Sequence, residues 1–226
     1  MVKTRTSHRL DAVLAAALEV FLEAGYRGAT LQEVANRAQV SVGSVYSYAA
    51  GKEALFELVL RTALLDPLPP LSNLPYEVDR EQDLVTWVWE RFQGIAHFPL
   101  LEAAVGRERP ERPLEEFEGI LREIWAWQSR YWRAIELIER CARDWPDLQM
   151  LYYKQFRRGA FALATELIQR RAAQGLIRDY PDPATALRVI VENIAFFAMH
   201  RHVRPDSADL DEDTCRETVI HLLVTG

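Results

Sequence analysis

The polar groups best suited to contact a ligand are concentrated in a short stretch of the chain, residues 39–52. Hydroxyl groups, the open backbone of a glycine and a lysine ammonium are groups with which proteins contact the phosphates and base edges of DNA. In a predicted helix over residues 42–48, the outward positions are Val42, Gly43, Ser44, Ser47 and Tyr48. This helix holds no Arg, Asn or Gln, so it lacks the bidentate contacts that discriminate guanine and adenine most strongly. We therefore expect DNA shape and phosphate contacts to supply much of the specificity, with Gln39 and Arg27 as supplementary contacts.

Sequence patterns of catalysis and metal binding are missing. The chain has no G-x-S-x-G, no P-loop and no G-x-G-x-x-G. Cys141 and Cys215 are far apart in the sequence, and we expect both to be reduced thiols. His200 and His202 are two residues apart at a predicted helix end, so they face different directions, and no histidine has the spacing of a metal ligand. We expect no catalytic residue, no metal site and no cofactor, and the chain is not expected to be an enzyme.

The candidate DNA contacts lie on two short predicted helices joined by a tight turn. Thr30 and Glu33 form a capping box, in which the hydroxyl group accepts from a free helix N–H and the carboxylate reaches back. The first short helix then has one apolar face, made of Leu31, Val34, Ala35 and Ala38. Residues 40–43 are too turn-prone to continue this helix, and Ser41 can cap a new one. Two short helices around a tight turn are typical of a helix-turn-helix motif.

Two longer helices are expected to frame this motif. The first covers about residues 8–24 with an apolar face, and Gly25 supplies a left-handed residue at its end. Its expected role is to pack across the two short helices and fix their angle. Another helix begins at Lys52 and continues to about Leu65. Because a helix N-terminus carries partial positive charge and Lys52 adds a full one, this helix start is predicted to bind a phosphate.

Further features occur in a characteristic order between residues 9 and 60. They are an Ala-rich first helix ending in Phe21-Leu22-Glu23-Ala24-Gly25-Tyr26, then Thr30, Glu33-Val34-Ala35, Val40-Ser41, Gly43, Tyr46 and Lys52-Glu53-Ala54-Leu55. This run, about a quarter of the chain, resembles the DNA-binding domain of TetR-type transcriptional regulators. The resemblance implies that Thr30, Tyr46 and Lys52 contact phosphates. The family usually has an aromatic residue just after the position of Tyr48, where this chain has Ala49 and Ala50. Tyr48 or Phe56 is then expected to anchor the short helix.

Charge is unevenly divided along the 226 residues. The net charge is −6, yet residues 1–65 hold seven Lys and Arg against six Asp and Glu. This nearly neutral segment must bind phosphates through the local placement of its cations, and the acidic remainder would keep the rest of the protein off DNA. No stretch approaches the roughly 18 apolar residues of a membrane span. We expect a soluble, cytoplasmic protein with no membrane partner.

The remainder of the chain is predicted to be a larger all-α domain. A Pro-containing polar run after Asp66 marks the boundary, so that residues 1–65 form the helix-turn-helix domain and residues 66–226 the second domain. Helices are predicted at about residues 81–98, 114–142, 146–174 and 182–203, with a last one from Asp209 or Asp211 to about Leu223. Breaks are expected at residues 99–113, and Gly175 is expected to end the helix before it. The sequence shows neither strand-like alternation nor an internal repeat.

Aromatic residues crowd the second domain and leave two interpretations open. Aromatic side chains at helical spacing often form a core, but Trp125 and Trp127 are two residues apart and lie on different sides of a helix. Some rings must therefore line a cavity, a partner surface or solvent. Apolar pockets between helices are common ligand sites, and the resemblance implies a small, mostly apolar effector. The candidate effector contacts are Trp87, Phe92, His97, Trp125, Gln128, Tyr131, Tyr152 and Phe156, with Gln128 and His97 as polar anchors.

The last two predicted helices carry apolar residues on more than one face. Residues 186–199 leave little room for a solvated side, which predicts a helix buried on both sides. Near a chain terminus this pattern favours a homodimer interface, and Ala195 would permit close approach. The family resemblance implies the same contact, made by two helices from each protomer. The candidate interface residues are Ile190, Ile194, Phe197, Ala198 and Leu222.

These patterns and the resemblance together predict a homodimeric transcriptional regulator, most simply a repressor. The second short helix of each protomer would enter a major groove of a palindromic, double-stranded operator. A small effector in the second domain would then release or retune the complex. The alternative is a helical protein–protein adaptor whose helix-turn-helix no longer binds DNA, an interpretation favoured by Ala49 and by the weakly basic N-terminal segment.

Overall fold

The computed structural model describes residues 2–79 and 83–225, with side chains from residue 8 onward. Within these residues the regular elements are all helical, as predicted, and the chain is all-α. The one β-type pairing in the described part is an isolated bridge between Ala49 and Tyr76. The predicted fold class, a helix-turn-helix domain followed by a larger helical region, is confirmed.

Residues 2–63 form four α-helices. They are α1 (Val2–Gly28), α2 (Leu31–Arg37), α3 (Val42–Tyr46) and α4 (Lys52–Ala63). Helix α1 contains a break at Gly25, whose φ of 75° and ψ of 175° lie in a region that is open almost only to glycine. This is a kink inside α1 and not the left-handed cap that the sequence predicts, which needs a ψ near 47°. Helix α3 ends at Tyr46, two residues earlier than predicted.

After a 3₁₀ turn at Leu71–Asn73, residues 83–225 contain seven further α-helices. They are α5 (Leu84–Ile95), α6 (Pro99–Gly106), α7 (Pro113–Cys141), α8 (Pro146–Gln149), α9 (Arg158–Ala173), α10 (Pro183–Ala198) and α11 (Glu212–Thr225). A π-helix, Met150–Arg157, joins α8 to α9, and a 3₁₀ turn at His200–Val203 follows α10. Helix α6 lies within residues 99–113, where the sequence predicted a break, so that prediction is wrong for Pro99–Gly106. Pro99 starts this helix because proline at the first position has no N–H that needs a partner.

Acidic residues begin the two last helices, as the sequence predicts. The Asp182 carboxylate accepts the N–H of Thr185 at 2.8 Å, and the Asp211 carboxylate accepts that of Thr214 at 2.8 Å. These contacts satisfy backbone donors that a helix leaves free at its start. The last helix therefore starts after Asp211, not after Asp209. Gly175, with φ of 67°, follows the end of α9, also as predicted.

The described chain divides into two compact units. The first comprises the residues up to Glu90 together with Arg133–Tyr152, and the second comprises Arg91–Trp132 and the residues from Tyr153 onward. This division does not coincide with the predicted boundary at residue 66, because the last turns of α7 and the following loop pack with the N-terminal helices. The predicted boundary between DNA-binding and effector functions stays a prediction.

An aromatic cluster forms part of the core of the first unit. The rings of Phe21 and Phe56 lie edge to face at 5.1 Å, Tyr26 packs against both, and Trp145 packs against Tyr26 at 5.1 Å. Phe21 and Phe56 are fully buried. Burial of such a ring stabilises a fold by about 1.5–3 kcal/mol. Phe56 thus packs α4 against α1 and Trp145. Its expected role as an anchor of the short helix α3 stays a prediction.

The second unit has a separate aliphatic core. Leu101, Ala104, Ile120 and Leu167 are buried together, which joins α6, α7 and α9. In the described part of the chain, no helix is both long enough and apolar enough to cross a membrane.

Candidate nucleic-acid interface

The turn between α2 and α3 is a Schellman motif. The N–H of Val40 donates to the carbonyl oxygen of Ala35 at 3.0 Å, and the N–H of Gln39 donates to that of Asn36 at 3.2 Å. Gln39 has a φ of 56°, the left-handed conformation that this motif needs and that glycine usually supplies. The motif ends α2 sharply, so that α3 begins only five residues later.

Each short helix has the cap that the sequence predicts. The Thr30 hydroxyl accepts the N–H of Glu33 at 3.2 Å, and the Glu33 carboxylate accepts the N–H of Thr30 at 3.0 Å, which completes the capping box. The Ser41 hydroxyl accepts the N–H of Ser44 at 3.1 Å at the start of α3. These contacts position α3 relative to α2 by local hydrogen bonds.

Val45 is the buried residue of α3, and most of the remaining surface of this helix is accessible to solvent. Val45 is fully buried, whereas Tyr46 is 50% exposed. Gly43 and Ser47 are exposed, and Val42 and Ser44 are half-buried. The Ser47 hydroxyl donates to the carbonyl oxygen of Ser44 at 2.7 Å, so its oxygen still has room to accept.

The structure corrects the predicted orientation of Tyr48. This residue is 6% exposed and cannot present its ring to a DNA groove. Tyr48 lies in the turn that follows α3, where its N–H donates to the carbonyl oxygen of Val45 at 2.9 Å and its carbonyl oxygen accepts the N–H of Tyr76 at 2.8 Å. The N–H of Ala50 donates to the Tyr76 carbonyl oxygen at 2.9 Å, and Ala49 between them is fully buried. Tyr48 therefore anchors the segment after α3, the alternative role expected from the sequence.

Lys52 lies at the first turn of α4 and is partly engaged by the protein itself. Its ammonium donates to the carbonyl oxygens of Arg27 at 3.3 Å and Ala29 at 3.2 Å, and it lies 4.9 Å from the ring centroid of Tyr26. An ammonium has three N–H donors, so one remains for another acceptor. Gly51, the N-cap of α4, provides no side-chain hydrogen bond, which leaves the first N–H groups of α4 uncapped by its side chain.

Two long-range contacts of this region have no local sequence signal. The guanidinium of Arg140 donates to the carbonyl oxygens of Leu22 at 3.2 Å and Glu23 at 2.9 Å, at the end of the regular part of α1. The Asp144 carboxylate accepts the N–H of Arg27 at 3.0 Å. The partners are separated by more than a hundred residues, so periodicity could not reveal them. These contacts fix the end of α1 next to the helix-turn-helix.

A further contact between distant residues fixes the segment after α4. The Tyr76 hydroxyl donates to the Glu57 carboxylate at 2.5 Å, and Arg61 also donates to Glu57 at 2.8 Å. Burial and the hydrogen bond to Glu57 raise the pKa of Tyr76 to about 12. Through Tyr76, the segment that pairs with residues 48–50 is therefore also fixed to α4.

The predicted effector contacts fall into separate groups. Phe92 and Tyr131 are buried in the second unit, where both rings pack near Trp127, as does that of Phe156. Trp87 and Tyr152 belong to the first unit. Arg61 stacks 4.4 Å above the Trp87 ring, and the Tyr152 hydroxyl donates to Glu139 at 2.9 Å.

Trp125 and Gln128 form the third group. Trp125 is 1% exposed and Gln128 is 7% exposed. Within the described residues, the indole Nε1 of Trp125 and the amide Oε1 of Gln128 have no hydrogen-bond partner. The imidazole of His97, the other predicted polar anchor, is 67% exposed.

The predicted dimer residues fall into a buried group and a more exposed group. Ile190, Ile194 and Ala198 are at most 4% exposed within one chain. They pack in the protomer's own core and are not available to a second copy, which corrects their predicted place in the dimer interface. The apolar surface of α10 consists instead of exposed Val189 with half-buried Phe196 and Phe197. Leu222 on α11 is 60% exposed, as an interface residue should be.

Comparisons with known proteins identify the N-terminal region. Residues 13–59 match the family of bacterial regulatory proteins called the tetR family. The N-terminal domain belongs to the TetR family. No curated protein matches the sequence.

Solved structures extend the similarity over the whole chain. SCO3833, a member of the TetR transcriptional regulator family from Streptomyces coelicolor A3, has 20% identity and a TM-score of 0.58, with 95% of this chain and 90% of that chain covered. The MbdR regulator from Azoarcus sp. CIB has 16% identity and a TM-score of 0.54, with 96% and 98% covered. At these identities the similarity shows the fold alone: the chain has the fold of TetR-family transcriptional regulators.

Proposed function

We propose that this chain is a homodimeric, TetR-type repressor that binds a palindromic operator through α3. A small, mostly apolar effector in the second unit would release it from the operator. The TetR-type domain and the capped, exposed α3 support DNA binding. Each protomer would place α3 in a major groove, with the two half-sites about 34–36 Å apart or a multiple of that distance.

The proposal depends mainly on the presence of glycine at position 43 of α3, where the free protein has room for a side chain. Glycine inside a helix is less stable than alanine by up to about 1 kcal/mol. A Cβ built at Gly43 would meet only the Ser41 hydroxyl, at 3.8 Å, so the free protein has room for alanine. The fold therefore does not require glycine here. Close approach of another molecule to the α3 backbone, such as DNA in the groove, does require it.

The groups around Gly43 are suited to phosphates and base edges. The exposed Tyr46 hydroxyl, the third N–H of Lys52 and the uncapped start of α4 can each contact a phosphate. Val42 can touch a thymine methyl group, and Ser44 or Ser47 can bond to a base edge. Thr30 is exposed beside its capping box, and its one O–H donates to the Glu33 carboxylate at 2.7 Å, so a phosphate contact here requires the hydroxyl to turn away from Glu33.

Operator binding can be tested with DNA that flanks the protein's own coding region. We expect a specific complex with two-fold symmetric protection and an affinity that falls steeply with salt, because phosphate contacts release counterions. Gly43→Ala should stabilise the free protein slightly and weaken operator binding at least tenfold. Gly159→Ala is the matched control, because it is also an exposed helical glycine with open space around its Cβ position. This control should leave operator binding unchanged.

Two outcomes would contradict the proposal. If an intact dimer shows no preference for the flanking DNA over competitor DNA, the chain is better explained as a protein–protein adaptor. If Gly43→Ala binds the operator as well as Gly159→Ala does, α3 is not the element that enters the groove.

A further inference from the structure

A narrow aliphatic cavity lies within the second unit between α6, α7, α9 and α10. It offers about 30 Å³ to a water-sized sphere, and its walls include Leu101, Ile120, Ile124, Leu167, Ile168 and Ile190. A space of this size holds one or two waters and no bulky ring system. A larger ligand can therefore enter only if the helices separate. Such a ligand binds a state with separated helices more tightly than the closed state. Regulation by a ligand requires this difference in affinity between two states.

The cavity has no charge left to bind an ionic ligand. Arg171, on its wall, donates to both oxygens of the Glu116 carboxylate, to Gln174 and to the carbonyl oxygens of Ala104, Arg107 and Glu108. These contacts occupy all five N–H donors of the guanidinium. The Glu116 carboxylate is in turn neutralised by Arg171 and by Arg107 at 3.1 Å. Burying an unpaired carboxylate or ammonium against aliphatic walls would be very unfavourable.

Two buried polar groups lie one helical turn beyond these walls. Trp125 follows the cavity residue Leu121 by four positions on α7, and Gln128 follows Ile124 by four, so each pair shares a face of the helix. Neither side chain lines the closed cavity. Side chains of a helix lean toward its N-terminus, so Trp125 and Gln128 lie on the side of α7 along which a widened cavity would extend. The indole N–H lacks an acceptor, and the amide Oε1 lacks a donor, within the described part of the chain. Buried polar groups of this kind are rare and usually have a partner.

We propose that the effector is a neutral molecule with a slender aliphatic chain and a head group that both accepts and donates a hydrogen bond. The head group would accept from Trp125 Nε1 and donate to Gln128 Oε1, while the aliphatic chain occupies the cavity along α7. Primary amides and alcohols have this combination, whereas esters only accept. The inference rests on the proposed function, since it names the ligand class of the proposed effector domain.

A series of ligands with one chain and different head groups tests the proposal. Octanamide, methyl octanoate, octanoate and octylammonium would each be titrated into the full-length protein without DNA by calorimetry. We expect octanamide to bind most tightly. Methyl octanoate should bind about tenfold more weakly, because Gln128 Oε1 stays unsatisfied. The two ions should bind more weakly still.

Two variants test whether Gln128 and Trp125 cause the difference in affinity between octanamide and methyl octanoate. Gln128→Leu should reduce octanamide binding and bring it close to that of methyl octanoate, and Trp125→Phe should weaken both ligands. Each variant removes one buried polar atom without a partner but also changes core packing, so the folded state of both is checked by thermal unfolding before titration. Gln169→Leu, an exposed glutamine on α9, is the matched control and should leave all four affinities unchanged.

Three results would overturn the inference: an ion that binds more tightly than octanamide, no binding of octanamide, or full discrimination between amide and ester in Gln128→Leu. Operator binding by the ligand-free protein is measured separately. Intact operator binding without octanamide binding would reject only the ligand class. Loss of operator binding would reject the proposed repressor and leave the direct titration valid.

Discussion

The missing side chain of Gly25 leaves the space that the guanidinium of Arg140 occupies, although more than a hundred residues separate the two in the sequence. A Cβ built on Gly25 would lie 2.9 Å from Nη1 of Arg140 and 2.8 Å from Oδ2 of Asp144. Glycine thus serves two purposes here. Its φ of 75° turns the chain at the end of α1, and its missing side chain leaves room for the two groups that bind the backbone around that end.

Gly25→Ala should therefore destabilise the protein through both strain and displacement. At the φ of 75° and ψ of 175° of Gly25, a side chain costs at least about 1 kcal/mol. Moving Arg140 and Asp144 aside weakens their hydrogen bonds to backbone groups, which adds about 1–3 kcal/mol. We expect a total loss of about 2–4 kcal/mol in the free energy of unfolding, measured by denaturant titration.

Gly175→Ala separates the two effects. Gly175 also has a positive φ, of 67°, but no atom lies within 4 Å of its Cβ position. Its substitution should cost only the strain of about 1 kcal/mol. Equal losses for the two variants would show that Arg140 and Asp144 accommodate the new methyl group freely.

Lys52→Met should affect stability and DNA binding together. The variant loses the ammonium contacts with the carbonyl oxygens of Arg27 and Ala29, which should lower the free energy of unfolding by about 1–2 kcal/mol. If the third N–H meets a phosphate, the salt dependence of operator binding should fall by about one unit in log–log slope. Lys154→Met makes the same change of charge at an exposed site and should alter neither quantity. Lost stability with an unchanged slope would assign Lys52 a purely structural role.

Local patterns account for what the sequence predicted correctly. The capping box of Thr30 and the Ser41 cap each depend on neighbours within a few residues, so spacing alone reveals them. For Tyr48 the sequence left an outward role and an anchoring role open, because its burial depends on the pairing with Tyr76, whose position is set by the fold. Ile190 was assigned to the dimer interface for a related reason, since periodicity shows that a helix is apolar on several faces and not which face its own chain covers.

Gln39→Gly should stabilise the protein. Gln39 adopts a φ of 56°, which costs an L-residue about 1 kcal/mol and glycine almost nothing. We expect the free energy of unfolding to rise by up to about 1 kcal/mol. Gln32→Gly, in the regular part of α2, should lower it by about the same amount. If operator affinity falls in Gln39→Gly despite the gain in stability, the Gln39 side chain contacts DNA as the sequence suggested.

The hydrogen bond from Tyr76 to Glu57 should appear in the alkaline stability of the protein. The pKa of Tyr76 rises from 10.0 to about 12, because burial and this hydrogen bond favour the protonated phenol. A raised pKa in the folded state means that the contribution to stability is complete below pH 10 and is lost as the pH rises toward 12. Between these values, the free energy of unfolding should fall more steeply for the parent than for Tyr76→Phe. Tyr46→Phe should follow the parent, and parallel curves for the parent and Tyr76→Phe would contradict the prediction.

Val189 provides a test of the proposed dimer that leaves the protomer core intact. Val189 is 53% exposed on α10, beside Phe196 and Phe197 on the apolar surface of that helix. Arg188 on the same surface is already paired with Glu192 at 2.9 Å. A further carboxylate buried there by a second copy would cost about 3 kcal/mol or more, so Val189→Glu should weaken dimerisation at least a hundredfold. Analytical ultracentrifugation would show the monomer, and operator binding should weaken because two half-sites must be bound together. Leu163→Glu places the same charge at an exposed apolar position of α9 and should remain a dimer. If Val189→Glu stays dimeric and Leu163→Glu does not, the interface lies on α9 and the assignment to α10 is wrong.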